Sequence, residues 1–569
     1  MQEVFWEIGI VIITAATLAI LAKALRQPRI LTYIIVGIIL GPLIFGVIKN
    51  RETMDNLATL GITFLLFLVG LELDLRKLKE VGKTALITSL GHMVFTGGLG
   101  YLIALSFGFT PLESIYISLA LVFSSTVIVV KLLSEKHEID SLYGRIAVGF
   151  LLIQDLVAIL ALLFLAAFHL NGSAILTFSS LGLTLLKGIF LFLLIILASK
   201  YILPYIFKFV ARSSELLFLT SISWCFLITL IAAGSGLSIE IGAFLAGVSL
   251  ASLPYNLEII ARVKSLRDFF IILFFVTLGM QVVFNVSTAD LARFIVLSLF
   301  VLIGNPLVIL FLMGILGYKK RTSFLTSISI AQISEFSFII VALGHKIGHL
   351  SPGIVSLVIL IGVATISCSS YLITYSDSLY KVLSPFLVIF ELRKGVKKDE
   401  KIYLPQKLNR HIIVVGYHRI GRTVVETLKK MGSNLLVVDF DPRKIKQLEK
   451  EKIPHIYGDI TDPDILEHIG LENASMVIST VPKREDDLFI IQKSKEARKD
   501  ITVFATADHV EEALELYDAG ADYVILPHIL GGKHAALLIE KMNGSLEKLI
   551  AARKRHIKEL KRHQKVFNY

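Results

Sequence analysis

From Phe5 to about Ile373 the chain is written in apolar runs of roughly 18–25 residues, separated by short polar stretches. A helix rises about 1.5 Å per residue, so each run is long enough to cross a hydrocarbon core of about 30 Å. Thirteen spans are predicted, at 5–25, 29–48, 56–74, 84–107, 112–133, 141–168, 179–203, 213–233, 236–252, 265–284, 291–317, 322–344 and 352–373. The seventh joins two groups of six. Beyond about Asp377 charges become dense and long apolar runs stop. HIIVVG, LLVVDFD, HIYGD, SMVISTV, TVFATAD and YVILP then read as six short strands alternating with stretches of helical spacing, which predicts a parallel, doubly wound sheet. The expected organisation is a membrane domain over 1–375, a charged linker over 376–410, an α/β domain over 411–530 and a basic helical tail over 531–569.

Composition agrees with this division. The chain is 55% hydrophobic and 18% charged, too apolar for a soluble protein of ordinary make-up. The first run lacks a basic start and is followed by further spans, so it reads as a retained helix rather than a cleaved leader. The two cysteines, Cys225 and Cys368, lie inside apolar runs and suggest neither a disulfide framework nor a zinc site. A net charge of +11 invites a nucleic-acid reading. The distribution of Lys and Arg gives a better account. Loops after the odd-numbered spans up to the eleventh hold nineteen Lys and Arg, from Lys23 to Arg321; the opposite loops hold four, counting Arg293. That bias places the first set in the cytoplasm, the N-terminus outside and the C-terminal domain inside. The expected surroundings are a bilayer, with no nucleic acid.

One residue conflicts with the apolar pattern. Asp155 stands fourteen residues into the span 141–168, with Gln154 beside it. A charged carboxylate at mid-bilayer costs about 2.5–3.5 kcal/mol on insertion scales, so it needs a partner, a proton or a cation. Ser124, Ser125 and Thr126 form a second polar cluster in the fifth span, and Gln332, Ser334 and Glu335 a third in the twelfth. These are corresponding positions of two six-span groups. Paired polar interruptions of this kind mark inverted repeats with discontinuous helices crossing at mid-membrane. Unwound carbonyls could ligate a cation there and Asp155 could neutralise it. A carboxylate holds either a proton or a monovalent cation on the same lone pairs, so obligatory exchange follows if the site turns only when loaded. Gln154 would add an uncharged oxygen, favouring a weakly hydrated ion such as K+ over one that demands a second anionic ligand. Asn305-Pro306 in the eleventh span reads as a kink.

The α/β region has its own motif. GYHRIG, from Gly416 to Gly421, follows the strand HIIVV and precedes a helix, and Asp439 ends the next strand. Placement matches a dinucleotide fingerprint: a glycine turn, a helix N-terminus for phosphate, an acid for ribose hydroxyls. His418 replaces the middle glycine and would crowd a pyrophosphate. His418, Arg419 and Arg422 could contact phosphate instead, so AMP fits the spacing better than NAD(H).

GLELD (70–74), SSTVIVVKLLSE (124–135), YGRIAVGFLLIQDLVAI (143–159), GAFLAGV (242–248), FFVTLGM (274–280), QISEF (332–336) and HIIVVGYHRIGRTV (411–424) together resemble the monovalent cation:proton antiporter-2 family, most closely its Kef-type potassium/proton branch. The resemblance implies a sodium/proton-exchanger-like fold in a homodimer, with Gln154 and Asp155 as the ion site. It implies that the interruptions at Ser124–Thr126 and Gln332–Glu335 cross beside Asp155. Relatives often carry a Lys where Asn305 stands, which leaves Asp155 without a fixed cation and favours electroneutral exchange. The last third resembles the RCK, or TrkA-N, regulatory module, which implies that Gly458, Asp459 and Thr480 border a nucleotide pocket. Kef-type systems are gated by glutathione and its adducts, so glutathione is a candidate regulator. The rival readings are an Na+/H+ antiporter of the same fold, a potassium channel gated by an RCK domain, and a membrane oxidoreductase. The only filter-like sequence, VVGYH (414–418), falls in the α/β strand, and no catalytic acid/base set or substrate domain accompanies the nucleotide motif. An enzyme is not expected.

Overall fold

The computed structural model describes residues 2–72, 83–168, 194–283, 288–390, 402–403 and 409–542, apart from 26, 49, 137, 140, 196, 212, 236, 440–441, 459, 461–462 and 482–483. The chain divides into two compact units, Met1–Lys394 and Gly395–Tyr569. Asp459, most of the expected seventh span and the tail beyond 542 lie outside the described residues.

The first unit is helical. Its helices are α1 (Gln2–Ala24), α2 (Arg29–Leu40), α3 (Arg51–Glu72), α4 (Lys83–Ser106), α5 (Pro111–Val122), α6 (Thr126–Glu135), α7 (Leu142–Phe168), α8 (Leu203–Val210) and α9 (Ser214–Gly234). They continue with α10 (Ile239–Ala251), α11 (Asn256–Met280), α12 (Thr288–Leu299), α13 (Asn305–Ile315), α14 (Lys320–Ser329), α15 (Glu335–Lys346), α16 (Pro352–Thr374) and α17 (Ser376–Leu387). Each expected span other than the seventh therefore holds a helix or a pair of helices. Among the described residues, eight helical stretches are long and apolar enough to cross a membrane. The expected linker begins as α17, and the unit boundary, between Lys394 and Gly395, falls inside it.

Local chemistry explains several ends. Thr110 caps α5 through a capping box with Glu113, and Pro111 opens the helix where its missing N–H is harmless. Pro204 and Pro306 are the second residues of α8 and α13. Each lacks a donor for the carbonyl four residues back, and each follows a π-helical turn, Ala198–Ile202 and Phe300–Gly304. The kink expected at Asn305-Pro306 takes this form. Glycines let helices touch backbone to backbone: a Cβ on Gly70 would lie 2.4 Å from the Phe244 carbonyl oxygen, and one on Gly247 2.0 Å from that of Phe67. α3 and α10 are thus locked in close contact, as small residues permit in membranes.

The second unit is a seven-stranded sheet in the order β1-β4-β3-β2-β5-β6-β7. The strands are β1 (Ile402–Tyr403), β2 (Ile412–Val415), β3 (Leu435–Asp439), β4 (His455–Tyr457), β5 (Met476–Ser479), β6 (Thr502–Thr506) and β7 (Tyr523–Ile525). All neighbours are parallel except β1 with β4. The helices are α18 (Arg419–Lys430), α19 (Pro442–Lys450), α20 (Pro463–Ile469), α21 (Arg484–Ala497), α22 (Val510–Asp518) and α23 (Pro527–Met542). Every residue of β3 is buried, and Ile413 and Val415 pack in one core while Val414 packs in another. Both faces are covered, as a parallel sheet requires. The six expected strands are β2 to β7; the two-residue β1 was not expected. The strand order changes direction between β2 and β5, the usual place for a ligand.

Candidate functional site

Two interrupted helices meet inside the first unit. The chain leaves helical geometry between Val122 and Thr126, and again between Ser329 and Glu335. Ser125 caps α6 by accepting the Ile128 amide at 3.4 Å, and Ser334 caps α15 by accepting the Phe336 amide at 3.2 Å. The interruptions touch: the Ser124 hydroxyl donates to the Ile330 carbonyl at 3.0 Å, and the Ser337 hydroxyl to the Ala120 carbonyl at 2.6 Å.

Side chains from neighbouring helices close the first interruption. Gln154 accepts from the Ser124 amide at 3.0 Å and donates to the Val122 carbonyl at 2.9 Å. Asn305 donates to the Leu121 carbonyl at 3.1 Å. The carbonyls of Ala120, Leu121, Val122 and Ile330 are therefore all engaged by protein donors. The Gln154 amide oxygen, expected to face a cation, accepts the Ser124 amide. In this conformation Gln154 splices a broken helix, because a buried carbonyl or amide without a partner is costly. Asn305 does the same one residue earlier.

Asp155 is placed differently. Thr126 donates to its Oδ2 at 2.8 Å, while Oδ1 has no hydrogen-bond partner among the described residues. Ser124, Ser125, Gln154 and Asn305 are fully enclosed; Asp155 and Thr126 are half-buried, and the unpartnered Oδ1 is itself a buried atom. The charges that bear on Asp155 among the described residues are those of Glu335 and Glu72. An unpartnered carboxylate oxygen beside a hydroxyl, with acidic rather than basic groups bearing on it, suits a cation or a proton, not an anion. Sequence reasoning missed His92, fully buried on α4, whose Nδ1 lies 3.3 Å from Gln154 Nε2. A lone histidine in an apolar run gives no signal of its own.

A cavity of about 580 Å³ opens in the same unit. Asp55 and Thr59 of α3, Glu240 of α10, Thr277 of α11 and Ile339 and Lys346 of α15 line it. Ile339 is one helical turn from Glu335, so the cavity approaches the end of α15 that carries the site.

In the second unit the glycine turn sits at the switch point. Gly416 has φ +89°, open to glycine and strained for other residues. The Tyr417 amide donates to Asp439 Oδ2 at 2.6 Å, and the Thr480 hydroxyl lies 3.0 Å from the Val415 carbonyl and 3.1 Å from that of Gly416. A Cβ on Gly421 would fall 1.9 Å from the Gly416 carbonyl oxygen, so only glycine lets α18 pack this close. His418 is exposed at the start of α18 and makes no side-chain cap there. Crowding by His418 is thus not imposed by the fold, and first-turn amides of α18 remain for an anion. Arg422, expected near phosphate, instead pairs with Glu426 at 3.1 Å and Glu451 at 3.7 Å.

Comparison with known proteins agrees with both halves. The family model described as sodium/hydrogen exchanger, transmembrane, matches residues 10–374, and the TrkA-N domain model matches 412–527. The glutathione-regulated potassium-efflux system protein KefC of Enterobacter sp. (strain 638) is 27% identical over 89% of this chain and 80% of its own. The protein of the same name from Escherichia coli (strain K12) is 26% identical over 90% and 80%. The solved sodium proton antiporter MjNhaP1 of Methanocaldococcus jannaschii aligns over 69% of this chain and 99% of its own, at 15% identity and a TM-score of 0.44. With crossed helix interruptions around a half-buried carboxylate in one unit and a glycine-turn sheet in the other, the chain is a multi-pass membrane protein that belongs to the transmembrane sodium/hydrogen exchanger family and carries a TrkA-N domain.

Proposed function

We propose that the protein exchanges a monovalent cation, K+ before Na+, for protons by alternating access, with Asp155 as the shared site. The observation that carries this reading is the free Oδ1 of Asp155 beside Thr126, with acidic rather than basic neighbours. Asp155, the Thr126 hydroxyl and Glu335 are the proposed cation ligands; Ser124, Ser125, Gln154 and Asn305 hold the crossing in shape. The Asn305 side chain donates to Leu121 and brings no charge, which supports one-for-one, electroneutral exchange.

The Lys and Arg asymmetry supports a cytoplasmic second unit and an external N-terminus. On that reading the cavity at Lys346 faces outward. We further propose that the second unit gates exchange by binding a nucleotide, AMP or NAD(H). Gly416, Gly421 and the N-terminus of α18 would hold phosphate, Asp439 the ribose, and Thr480 the turn itself. Glutathione control and a homodimeric assembly are proposed from the resemblance to Kef-type systems and from the names of the relatives.

Reconstitution into proteoliposomes with an internal pH dye tests the exchange. Addition of K+ against an imposed pH gradient is expected to move protons in the opposite direction, and Na+ or Li+ to do so less well. A channel gated by its soluble unit would instead carry K+ with no proton countermovement.

A further inference from the structure

The C-terminal end of α6 carries a charge cluster that the exchange reading does not use. Lys136, the residue capping α6, donates to the Ser376 hydroxyl at 2.9 Å and to Asp377 Oδ2 at 3.1 Å. Its ammonium also lies 3.1 Å from Glu138 and 3.5 Å from the Ile373 carbonyl. Arg321 of α14 approaches the other oxygen of Asp377 at 3.5 Å, and Tyr143 of α7 donates to Glu138. Two cations thus meet two anions. Glu138 is only 5% exposed, so its charge depends on these partners.

The position of this cluster is what matters. Ser376 and Asp377 form the first turn of α17, the last α-helix among the described residues of the first unit. Lys136 stands ten residues from Thr126, about 15 Å along one rigid helix. α6 is joined to α5 by only the three residues 123–125, all outside helical geometry. Those residues carry no helical ladder from α5 into α6; the junction is held instead by Ser124, through its contacts with Gln154 and Ile330. A displacement of α17 pulls on one end of α6, and the other end holds the hydroxyl that touches Asp155.

We propose that Lys136 is a positioning residue that couples α17 to the ion site through α6, so that movement of the chain entering the regulatory unit resets the Thr126–Asp155 contact. This rests on the reading of Asp155 as the exchange site.

Full-length protein in lipid nanodiscs, followed by hydrogen exchange, tests the coupling; cation titrations in proteoliposomes test its consequence. In Asp377→Asn and Lys136→Met, exchange is expected to rise together at 376–387 and at 123–129. The half-saturating K+ concentration is expected to rise at least threefold, with little change in maximal rate. Lys136→Arg keeps the charge and is expected to restore both readouts. If Lys136→Met fails to assemble because Glu138 is stranded, Asp377→Asn, at a 36% exposed side chain, carries the test. Faster exchange in α17 with 123–129 unchanged, or wild-type half-saturation in Asp377→Asn, overturns the proposal. Were no ion to drive proton movement in the wild type, the Asp155 reading would fall, while the exchange data would still decide whether α17 and α6 are coupled.

Discussion

Gln154 and Asp155 are adjacent, yet the structure gives them opposite surroundings. The amide is enclosed and spent at both ends, on Ser124 and Val122; the carboxylate is half-buried and keeps one oxygen free. That division predicts the behaviour of Gln154→Glu. The new carboxylate would face the Val122 carbonyl with no proton to donate, leaving a buried acceptor unpaired at a cost of about 1–3 kcal/mol. Exchange is expected to slow at least tenfold with the ranking of K+, Na+ and Li+ unchanged. A changed ranking would show that the amide touches the ion. The polar residues themselves were legible in the sequence, because a carboxylate and two hydroxyl clusters stand out in apolar runs. Their division of labour was not. Whether an amide serves an ion or a broken helix depends on which backbone groups lie within 3 Å, and only the packed fold sets that. His92 escaped for the same reason.

At the scale of elements, the interruptions fell where the polar clusters predicted, because Ser125 and Ser334 offer N-cap oxygens where no apolar residue could. Several motifs that carry the family resemblance acquire a physical meaning. The glycines of GLELD and GAFLAGV, Gly70 and Gly247, are the points where α3 and α10 touch. Gly247→Val would drive its side chain into the Phe67 carbonyl, 2.0 Å from the added Cβ. The helices would have to separate, and the detergent-solubilised protein is expected to melt at least 5 °C lower; an unchanged melting curve would refute this contact. β1 was missed because two residues inside a charged stretch show no alternation. The π-helical turns were missed because a proline announces a disturbance without saying how the ladder reroutes.

The whole molecule joins two units with separate cores, so their stabilities can be changed independently. Asp487 of α21 offers a handle. It is fully buried between β5 and β6, accepting the Thr506 amide at 3.3 Å. Burial pushes its carboxyl up to about 7, against the nearby Ser479 hydroxyl and the Thr506 amide, which pull it down. The folded unit therefore holds a proton that the unfolded chain releases near pH 4. This contribution is fully present below the unfolded value and is lost as pH rises through about 7, by at most about 1.4 kcal/mol per pH unit. Asp487→Asn is expected to remove that slope from the unfolding of the second unit between about pH 4 and 7, relative to wild type, and to leave the membrane unit's transition in place. An unchanged slope would mean that Asp487 is ionised in the fold. The exchange account itself stands on one competition, between a cation and a proton for Asp155. The most direct measurement is the half-saturating K+ concentration for proton movement in proteoliposomes, taken at half-unit steps from pH 5.5 to 8.5, in wild type and Asp155→Asn. The account predicts a value that rises towards tenfold for each unit of acidification at the acid end, and no cation-driven movement in the variant. A pH-independent half-saturation, or exchange surviving in Asp155→Asn, would contradict it.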